Sequence, residues 1–528
     1  MLVTAGLWAQ KGPIVWISPS LERVGQHDLP GKHATAELAA ARGEYESFQI
    51  AVRAPAGSDL TNVNVSLSDL ESSGGRKIGK TNFTLYREHY VHVDPSSPDW
   101  HGANQPLGPS WYADGLIPFV DRATGAAPRH AALRAAPVEV EAGANQPFWV
   151  DVLVPRDAPA GLYSADFTVT SDQGSARGRV ELRVWNFTLP LAPALKSAFM
   201  FFHTPTQADE EELLRNKVAP LAVNEADEKD LIKRHALGAV NLGLFSGADV
   251  SHCAMSPAPP AREIRRSVSR HRPELRLFDY MADEIGTCPS LFPQVKQWAR
   301  ALHRAGVKTM VTMAPVTELM DDGSGSGRSA VDIWVVLPEM YDKAVKKIVQ
   351  AQAKGDEVWS YNTLVQDPYS PKWEIDFAPI NFRIQPGFIS QSLHLSGLLY
   401  WRVDSWGYDP WNDVNNTGQF SSNNYPGEGM LVYPGSAVGI TGVAPSMRLK
   451  WIRDGVEDYE YVDLLKKAGY GDWALEVVRG AGRDWSNWTR DPKVLEQARR
   501  ELGEKLDAVS RSRSEPRPRR RPMRHSGN

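Results

Sequence analysis

The sequence has little cysteine, no long apolar run and no excess of charge of one sign. Its 528 residues include only Cys253 and Cys288, so no disulfide framework holds the chain together. One bridge between the two in an oxidising compartment, or two free thiols in the core, are both open. No stretch is long and apolar enough to span a bilayer. The net charge of -4 gives no electrostatic reason to expect nucleic acid as a partner.

Metal-ligand spacings and glycine-rich phosphate loops are also missing, so we expect no cofactor and no metal. The first residues are apolar and small but lack the positive leader and the full length of a secretory signal. We interpret residues 1–11 as the remnant of a signal peptide and expect a secreted or periplasmic protein. At the other end, residues 510–528 are rich in arginine and proline, which predicts a disordered basic tail.

Residues 12–190 alternate short β-rich runs with turns marked by glycine and proline. Typical runs are Tyr45–Val52, Pro147–Val154 and Gly178–Trp185. Several short strands with this spacing predict an N-terminal β-sandwich. A sandwich of this kind could bind carbohydrate or brace its neighbour. Because no turn in this segment concentrates acids or aromatic residues, we expect the bracing role.

Residues 195–470 change to strands that alternate with helices, which predicts a (β/α)₈ TIM-like barrel. An incomplete or distorted barrel would give the same pattern. The eight candidate strands are Ser197–Phe202, Ala239–Phe245, Leu275–Met281, Lys308–Met313, Asp332–Val336, Glu357–Tyr361, Gly397–Trp401 and Met430–Tyr433. The sequence therefore predicts a multidomain protein with a β-sandwich followed by a barrel. His203, which follows the first of these strands, is most simply structural.

The strongest catalytic candidates are Asp283 and Glu284. They follow the apolar run Leu275–Met281 after the single residue Ala282, and a helix is predicted after them over residues 291–305. In a barrel of βα units the carboxyl ends of the strands carry the catalytic groups. The dipeptide also occurs at residues 209–210, 227–228 and 356–357, so its position, and not its presence, selects this pair.

Aromatic and acidic residues near other strand ends suggest a carbohydrate cleft. The sequence contains 17 tryptophans, and an exposed indole is a common platform for the apolar face of a sugar. We predict as substrate-binding residues Trp334, Trp359, Tyr361, Trp401, Asp404 and Trp406. For Trp334 and Tyr400, a place inside the barrel is an equal alternative.

The segment from Pro445 to Ala468 reads as the last barrel helix. Its apolar residues form one stripe, and we expect Arg448, Arg453 and the helix's acids to pair at its surface. Two shorter helices, Asp472–Arg479 and Pro492–Val509, are predicted within residues 471–509.

Several blocks of the chain resemble glycoside hydrolase family 123, the β-N-acetylgalactosaminidase family, and the related group known as domain of unknown function 4091. The blocks are Ala41–Gln49, Val152–Tyr163, Val331–Val335, Gly397–Trp401, Gly427–Gly435 and Pro445–Tyr461. The last two are specific, and the resemblance spans most of the chain.

The resemblance implies a β-sandwich, a (β/α)₈ barrel and a catalytic acid pair at Asp283 and Glu284. It also implies retaining, substrate-assisted hydrolysis, in which the 2-acetamido oxygen of the sugar attacks the anomeric carbon. Glu284 would be the general acid and then the general base, while Asp283 would orient the acetamido group. The family usually continues its acid pair with proline, whereas this chain has Ile285 and Gly286. This difference leaves the shape of the pocket, and therefore the substrate, open.

We therefore expect an exported glycosidase that releases β-linked N-acetylhexosamine, most simply N-acetylgalactosamine, from a glycoconjugate or polysaccharide. Two alternatives remain. One is a glycosidase for a different sugar, in which Asp332, Glu357 or Asp404 is the nucleophile. The other is a non-catalytic carbohydrate-binding or scaffold protein that keeps the barrel.

Overall fold

The structure is a computed structural model that describes residues 12–415 and 425–514. The proposed signal remnant, residues 1–11, and residues 515–528 of the predicted tail lie outside the described residues. The chain combines a β-rich first part with an α/β second part. Within the described ranges, none of the helices has the length and apolar character needed to cross a membrane.

The first part consists of strands. In chain order they are β1 (Ile14–Pro19), β2 (Thr35–Arg42), β3 (Tyr45–Arg53), β4 (Leu60–Leu67), β5 (Leu70–Glu71), β6 (Lys77–Ile78), β7 (Phe83–Val93), β8 (Ser110–Pro118), β9 (Val138–Val140), β10 (Asn145–Leu153), β11 (Gly161–Ser171) and β12 (Gly174–Thr188).

These strands form two main sheets that share one apolar core. The first has the order β1-β3-β10-β7-β8, and the second has the order β2-β12-β11-β4-β9. Strand side chains alternate between faces, so β11 turns Phe167 and Val169 into the core while Thr168 points away. Ile50 of β3 and Val150 of β10 meet them from the first sheet. The central strands β3 and β10 are buried on both faces, which shows that a further layer covers the first sheet.

The second part alternates strands and helices. In chain order they are β13 (Lys196–Phe199), α1 (Gln207–Arg215), α2 (Glu228–His235), β14 (Ala239–Asn241), α3 (Ala261–Val268), β15 (Arg276–Asp283), α4 (Phe292–His303), β16 (Lys308–Thr312), β17 (Ile333–Val336), α5 (Pro338–Lys354), β18 (Glu357–Tyr361), α6 (Ile380–Ile384), α7 (Ser390–Ser392), β19 (Gly397–Tyr400), β20 (Val432–Pro434), β21 (Val443–Pro445), α8 (Met447–Lys467), α9 (Gly471–Ala481) and α10 (Pro492–Ser514).

Seven of these strands form a parallel sheet in the order β13-β19-β18-β17-β16-β15-β14, so the sheet curves almost into a ring. The gap between β13 and β14 is bridged by residues 219–221. Leu221 N donates to Phe199 O at 2.8 Å, and Asn241 N donates to Leu221 O at 2.9 Å. Side chains from the strands fill the interior of the ring. The carboxyl ends of the strands therefore meet on one side of the molecule.

The predicted eighth strand, Met430–Tyr433, is wrong. Residues 432–434 form β20, which pairs antiparallel with β21 outside the parallel sheet. Its place is taken by residues 219–221, which contain Pro220 and make one parallel bridge to Phe199. Proline cannot donate to a strand ladder, so this segment is too short and interrupted to show the apolar pattern of a strand.

Helix α8 is the layer that covers the first sheet, and it corrects the expectation that Arg448 and Arg453 pair at a surface. Both are fully buried. Arg448 Nε lies 2.8 Å from Asp114 of β8. Arg453 pairs with Asp151 of β10 at 3.0 Å as well as with Asp454 of its own helix at 2.8 Å. The helix thus joins the β-rich part to the α/β part.

The C-terminal helices form as expected, but α10 continues to Ser514. The chain is therefore still helical at residues 510–514, where the disordered tail was expected to begin. Arg511 forms an ion pair within this helix, because its guanidinium lies 2.9 Å from the carboxylate of Asp507, one turn earlier.

Cys253 and Cys288 form a disulfide, which decides between the two alternatives left open by the sequence. The bridge joins the loop after β14 to the loop after β15. It therefore fixes the chain four residues beyond Glu284.

Replacing both cysteines with alanine is expected to lower the free energy of unfolding by about 2–4 kcal/mol, because the bridge closes a loop of intermediate length. Urea unfolding with and without a reductant measures the loss. The reductant should destabilise the wild type and leave the double variant unchanged. Equal unfolding of the wild type under both conditions would contradict the prediction.

Candidate active site

Asp283 and Glu284 both turn into the opening at the carboxyl ends of the strands. Asp283 is the last residue of β15, and Glu284 follows in the left-handed region with φ of 47°. On a regular strand these neighbours would point to opposite faces. Because the strand ends here and the backbone changes hand, both carboxylates reach solvent on the same side of the barrel.

Each carboxylate accepts a hydrogen bond from a tyrosine. Tyr280 Oη donates to Asp283 Oδ1 at 2.7 Å, and Tyr361 Oη donates to Glu284 Oε1 at 2.5 Å. Thr312, the last residue of β16, donates its hydroxyl to Asp283 and accepts from Glu284 N at 2.8 Å. Three strands of the sheet, β15, β16 and β18, therefore hold the pair.

The two tyrosines stay protonated. Burial, followed by the charge of Glu284, raises the pKa of Tyr361, and burial followed by Asp283 raises that of Tyr280. A protonated phenol remains a donor, so protein hydroxyls hold one oxygen of each carboxylate and the other oxygen can bind a ligand.

Trp401 lies beyond the end of β19 and is half-buried. Its Nε1 donates to Glu428 Oε1 at 2.5 Å, and Glu428 also accepts from Thr363 Oγ1 at 2.9 Å and from Leu364 N at 3.1 Å. Burial, and then the nearby Glu428, raises the pKa of Glu374 well above its usual value. Glu428 thus fixes the edge of the half-buried Trp401 ring.

Asp404 and Trp406 hold His203. Asp404 Oδ2 accepts from His203 N at 2.9 Å and contacts His203 Nδ1 at 2.5 Å. The Trp406 ring stacks on the imidazole with centroids 5.4 Å apart. Hydrogen bonds with Asp209 and Asp404 raise the pKa of His203 to about 9. Asp404 is thus already satisfied by protein donors.

The charged state of His203 makes stability depend on pH. Its pKa rises from 6.5 to about 9 on folding, so its stabilisation is complete below pH 6.5 and is lost as pH rises through 9. Replacing His203 with glutamine should therefore destabilise the protein more below pH 6.5 than above pH 9. Urea midpoints of both proteins measure this difference, and a gap that does not depend on pH would contradict it.

Trp334 and Trp359 do not join the acid pair. Trp334 is fully buried on the outer side of β17, where its Nε1 donates to Asp356 at 3.1 Å. Trp359 fills the barrel interior against Phe278, with ring centroids 6.2 Å apart. Both contribute to the core.

Two of the alternative nucleophiles lie at the opposite ends of their strands. Glu357 begins β18 and binds Lys196 at 3.0 Å and Lys308 at 2.9 Å. Asp332 precedes β17 and binds His303 at 3.0 Å. Burial alone would raise the pKa of both carboxyls. The hydrogen bond with His303 lowers the pKa of Asp332 to about 2. The charge of Arg276, followed by that of Lys196, lowers the pKa of Glu357 to about 2.

Sequence reasoning missed four residues at this opening. Tyr280 and Thr312 bind the acid pair, and Phe202 and Phe245 are exposed aromatic side chains beyond the ends of β13 and β14. Thr312 could have been found from the sequence, because it is a polar residue at the end of an apolar strand. Tyr280 gave none, because an irregularity in β15 between residues 280 and 282 changes its phase relative to Asp283.

An acid pair at the carboxyl ends of a nearly closed parallel sheet, with aromatic walls beside it, is an architecture of glycoside hydrolases. Two family models identify which kind. The glycoside hydrolase 123 N-terminal domain matches residues 24–171, and the glycoside hydrolase 123 catalytic domain matches residues 293–465. The chain belongs to glycoside hydrolase family 123. It is a glycosidase, and its substrate is a carbohydrate. The acid pair itself lies just before the matched catalytic range.

Comparison with solved structures agrees with this fold. A family 123 glycoside hydrolase from Clostridium perfringens, studied for glycolipid glycan hydrolysis, is 13% identical with a TM-score of 0.64, covering 95% of this chain and 99% of that one. A Parabacteroides merdae β-glucuronidase is 9% identical with a TM-score of 0.26, covering 72% and 49%. A putative α-galactosidase from Bacteroides fragilis is 12% identical with a TM-score of 0.21, covering 92% and 79%. The last two scores support no statement about fold or function. No curated protein matches the chain.

Proposed function

We propose that the protein releases β-linked N-acetylhexosamine, with N-acetylgalactosamine as the preferred sugar, by retaining and substrate-assisted hydrolysis. The observation that carries this proposal is the arrangement of Asp283 and Glu284. They are adjacent, exposed on one side of the barrel and each bonded to a protonated tyrosine. Adjacent carboxylates suit one group that handles the proton and a second that handles the acetamido group.

In the first step the acetamido carbonyl oxygen attacks the anomeric carbon while its bond to the leaving oxygen breaks. Glu284 gives its proton to that oxygen, and Asp283 accepts the acetamido N–H and stabilises the positive charge of the oxazolinium. In the second step water attacks the same carbon and gives a proton to Glu284. The acetamido group is restored, and the product keeps the β configuration.

The other acids support a nucleophile supplied by the substrate. Asp332 and Glu357 are ion-paired at the far ends of their strands. Asp404 and Glu428 are buried and use their oxygens for protein donors. Asp283 and Glu284, in contrast, are exposed at the opening, where each accepts a hydrogen bond from a tyrosine.

The proposed substrate-binding residues are Tyr361 and Trp401. Asp404 and Trp406 contribute indirectly, because both contact His203 and hold its ring in place. We also propose that residues 12–190 form a β-sandwich domain and residues 195–470 a (β/α)₈ barrel whose second strand is reduced to residues 219–221. The Cys253–Cys288 bridge supports export, since such bonds persist in oxidising compartments.

A panel of aryl β-glycosides tests the proposal. Hydrolysis confined to acetamido sugars, fastest for N-acetylgalactosamine, is expected. A thiazoline analogue should inhibit the wild type and bind Asp283→Asn much more weakly, because that variant loses the charge opposite the ring. Equal hydrolysis of sugars without the acetamido group would show an enzymic nucleophile. No hydrolysis and no thiazoline binding would favour a carbohydrate-binding protein.

A further inference from the structure

A segment of the β-rich part reaches across to the carboxyl ends of the barrel strands. Residues 94–109 connect β7 to β8 and are fixed to the loop after β18. Ser96 Oγ and Ser97 N donate to Asp376 Oδ2 at 2.6 and 2.7 Å. Asn104 Nδ2 donates to Ser370 O at 2.8 Å. Asp376 is fully buried, so this contact is a built junction.

The backbone of the segment meets that of the barrel loop closely at Gly102. A Cβ at this position would lie 2.2 Å from Cβ of Pro368, so only glycine allows the two backbones to meet. Two residues earlier, Trp100 keeps 59% of its surface exposed although it is anchored. Its Nε1 donates to Val365 O at 3.1 Å. The hydrogen bond fixes the edge of the indole and leaves the ring open to solvent, which is the geometry of a stacking platform.

Trp100 is anchored on the loop that leads away from the acid pair. Val365 lies four residues beyond Tyr361, whose hydroxyl binds Glu284. Four extended residues span at most about 14 Å. Trp100 is therefore anchored at the same end of the barrel as Glu284, on the loop that continues from Tyr361.

We propose that Trp100 stacks on the apolar face of a sugar on the leaving-group side of the cleaved bond. The enzyme then removes the terminal sugar of a glycan while Trp100 holds the sugar next to it. This inference rests on the proposed function, because it takes Glu284 as the proton donor. It assigns the β-rich part a share in substrate recognition, beyond its bracing of the barrel. The occupant is a pyranose ring with exposed C–H groups, which pack well against an indole.

The test compares two substrates of the same non-reducing sugar: an aryl β-N-acetylgalactosaminide, and an oligosaccharide that ends in β-N-acetylgalactosamine. Trp100→Ala should lower kcat/KM for the oligosaccharide roughly 3- to 10-fold, as expected for one lost aromatic contact. It should leave the aryl substrate nearly unchanged, and Trp100→Phe should retain most of the activity. Trp111→Ala is the matched control, because Trp111 is 49% exposed but packs on His92 within the β-rich part.

Equal losses on both substrates, or none on either, would overturn the stacking role while leaving the hydrolase intact. A wild type that cleaves neither substrate would overturn the proposed function instead. In that case calorimetric titration with the same oligosaccharide still decides the inference. Trp100→Ala should bind it several-fold more weakly than the wild type, and equal affinity or no binding to the wild type would overturn it.

Discussion

Replacing Glu284 with glutamine is expected to lower kcat/KM for a β-N-acetylgalactosaminide by about 10²- to 10⁴-fold, the usual contribution of a positioned general acid and base. Glutamine keeps a carbonyl oxygen that can accept the hydrogen bond from Tyr361, so the loss reports the proton and not the packing. Since the side chain is exposed, the fold should be unaffected.

The size of the expected loss in kcat/KM depends on the leaving group. A nitrophenolate needs little protonation to depart, whereas a sugar or phenol needs much, so the loss should be larger for the poorer leaving group. Steady-state kinetics on both substrates measure the two losses. Glu318→Gln is the control, because Glu318 is an exposed acid that follows β16 on the same side of the barrel. Similar losses in the two variants, or losses that do not depend on the leaving group, would contradict the role of Glu284.

The sequence could place Asp283 and Tyr361 at the ends of strands for a simple physical reason. Parallel strands place their carboxyl ends together, so residues that end separate strands become neighbours whatever their distance along the chain. Asp283 and Tyr361 are such residues. Tyr280 could not be predicted in the same way, because the irregularity in β15 breaks the alternation from which a face is inferred.

Trp334 and Trp359 show where the pattern carries no information. Strands of a parallel sheet are buried on both faces, so their sequences are apolar throughout and do not reveal which side faces the interior. All of β17 is buried, and Trp359 stands in an equally buried part of β18. The sequence could place these tryptophans on strands but could not give their direction.

The prediction that the arginines of helix α8 pair at a surface was wrong for a different reason. Charged residues on a helix usually indicate a solvated face, and the partners that bury Arg448 and Arg453 lie on β8 and β10, far away in the chain. Local spacing contains no record of such contacts. The same non-local contact is the basis for the largest effect on stability that we expect.

Replacing Asp114 with alanine should lower the free energy of unfolding by about 3–5 kcal/mol, because it leaves the guanidinium of Arg448 buried without a counter-charge. Both residues are fully buried. The pair is bidentate, with Nε to Oδ1 at 2.8 Å and Nη2 to Oδ2 at 3.0 Å. Tyr433 Oη also donates to Asp114 at 2.6 Å, so the change removes a second hydrogen bond.

The effect should reach the candidate site. Arg448 Nη1 donates to Gly427 O at 2.8 Å, and Nη2 donates to Met430 O, so the arginine holds both ends of the turn that carries Glu428. Glu428 in turn fixes Trp401. A loosened arginine should therefore raise KM in the variant as well as destabilise it, even though Asp114 lies on a strand of the β-rich part.

Urea unfolding and steady-state kinetics on Asp114→Ala measure both consequences. Glu181→Ala is the matched control, because the Arg179–Glu181 pair is more than half exposed and should contribute less than about 1 kcal/mol. A loss in Asp114→Ala as small as in this control would show that Arg448 finds another partner or water. A large loss of stability with an unchanged KM would show that the turn at Glu428 is held without Arg448. Only a loss of both supports the view that one buried ion pair ties the β-rich part to the catalytic face.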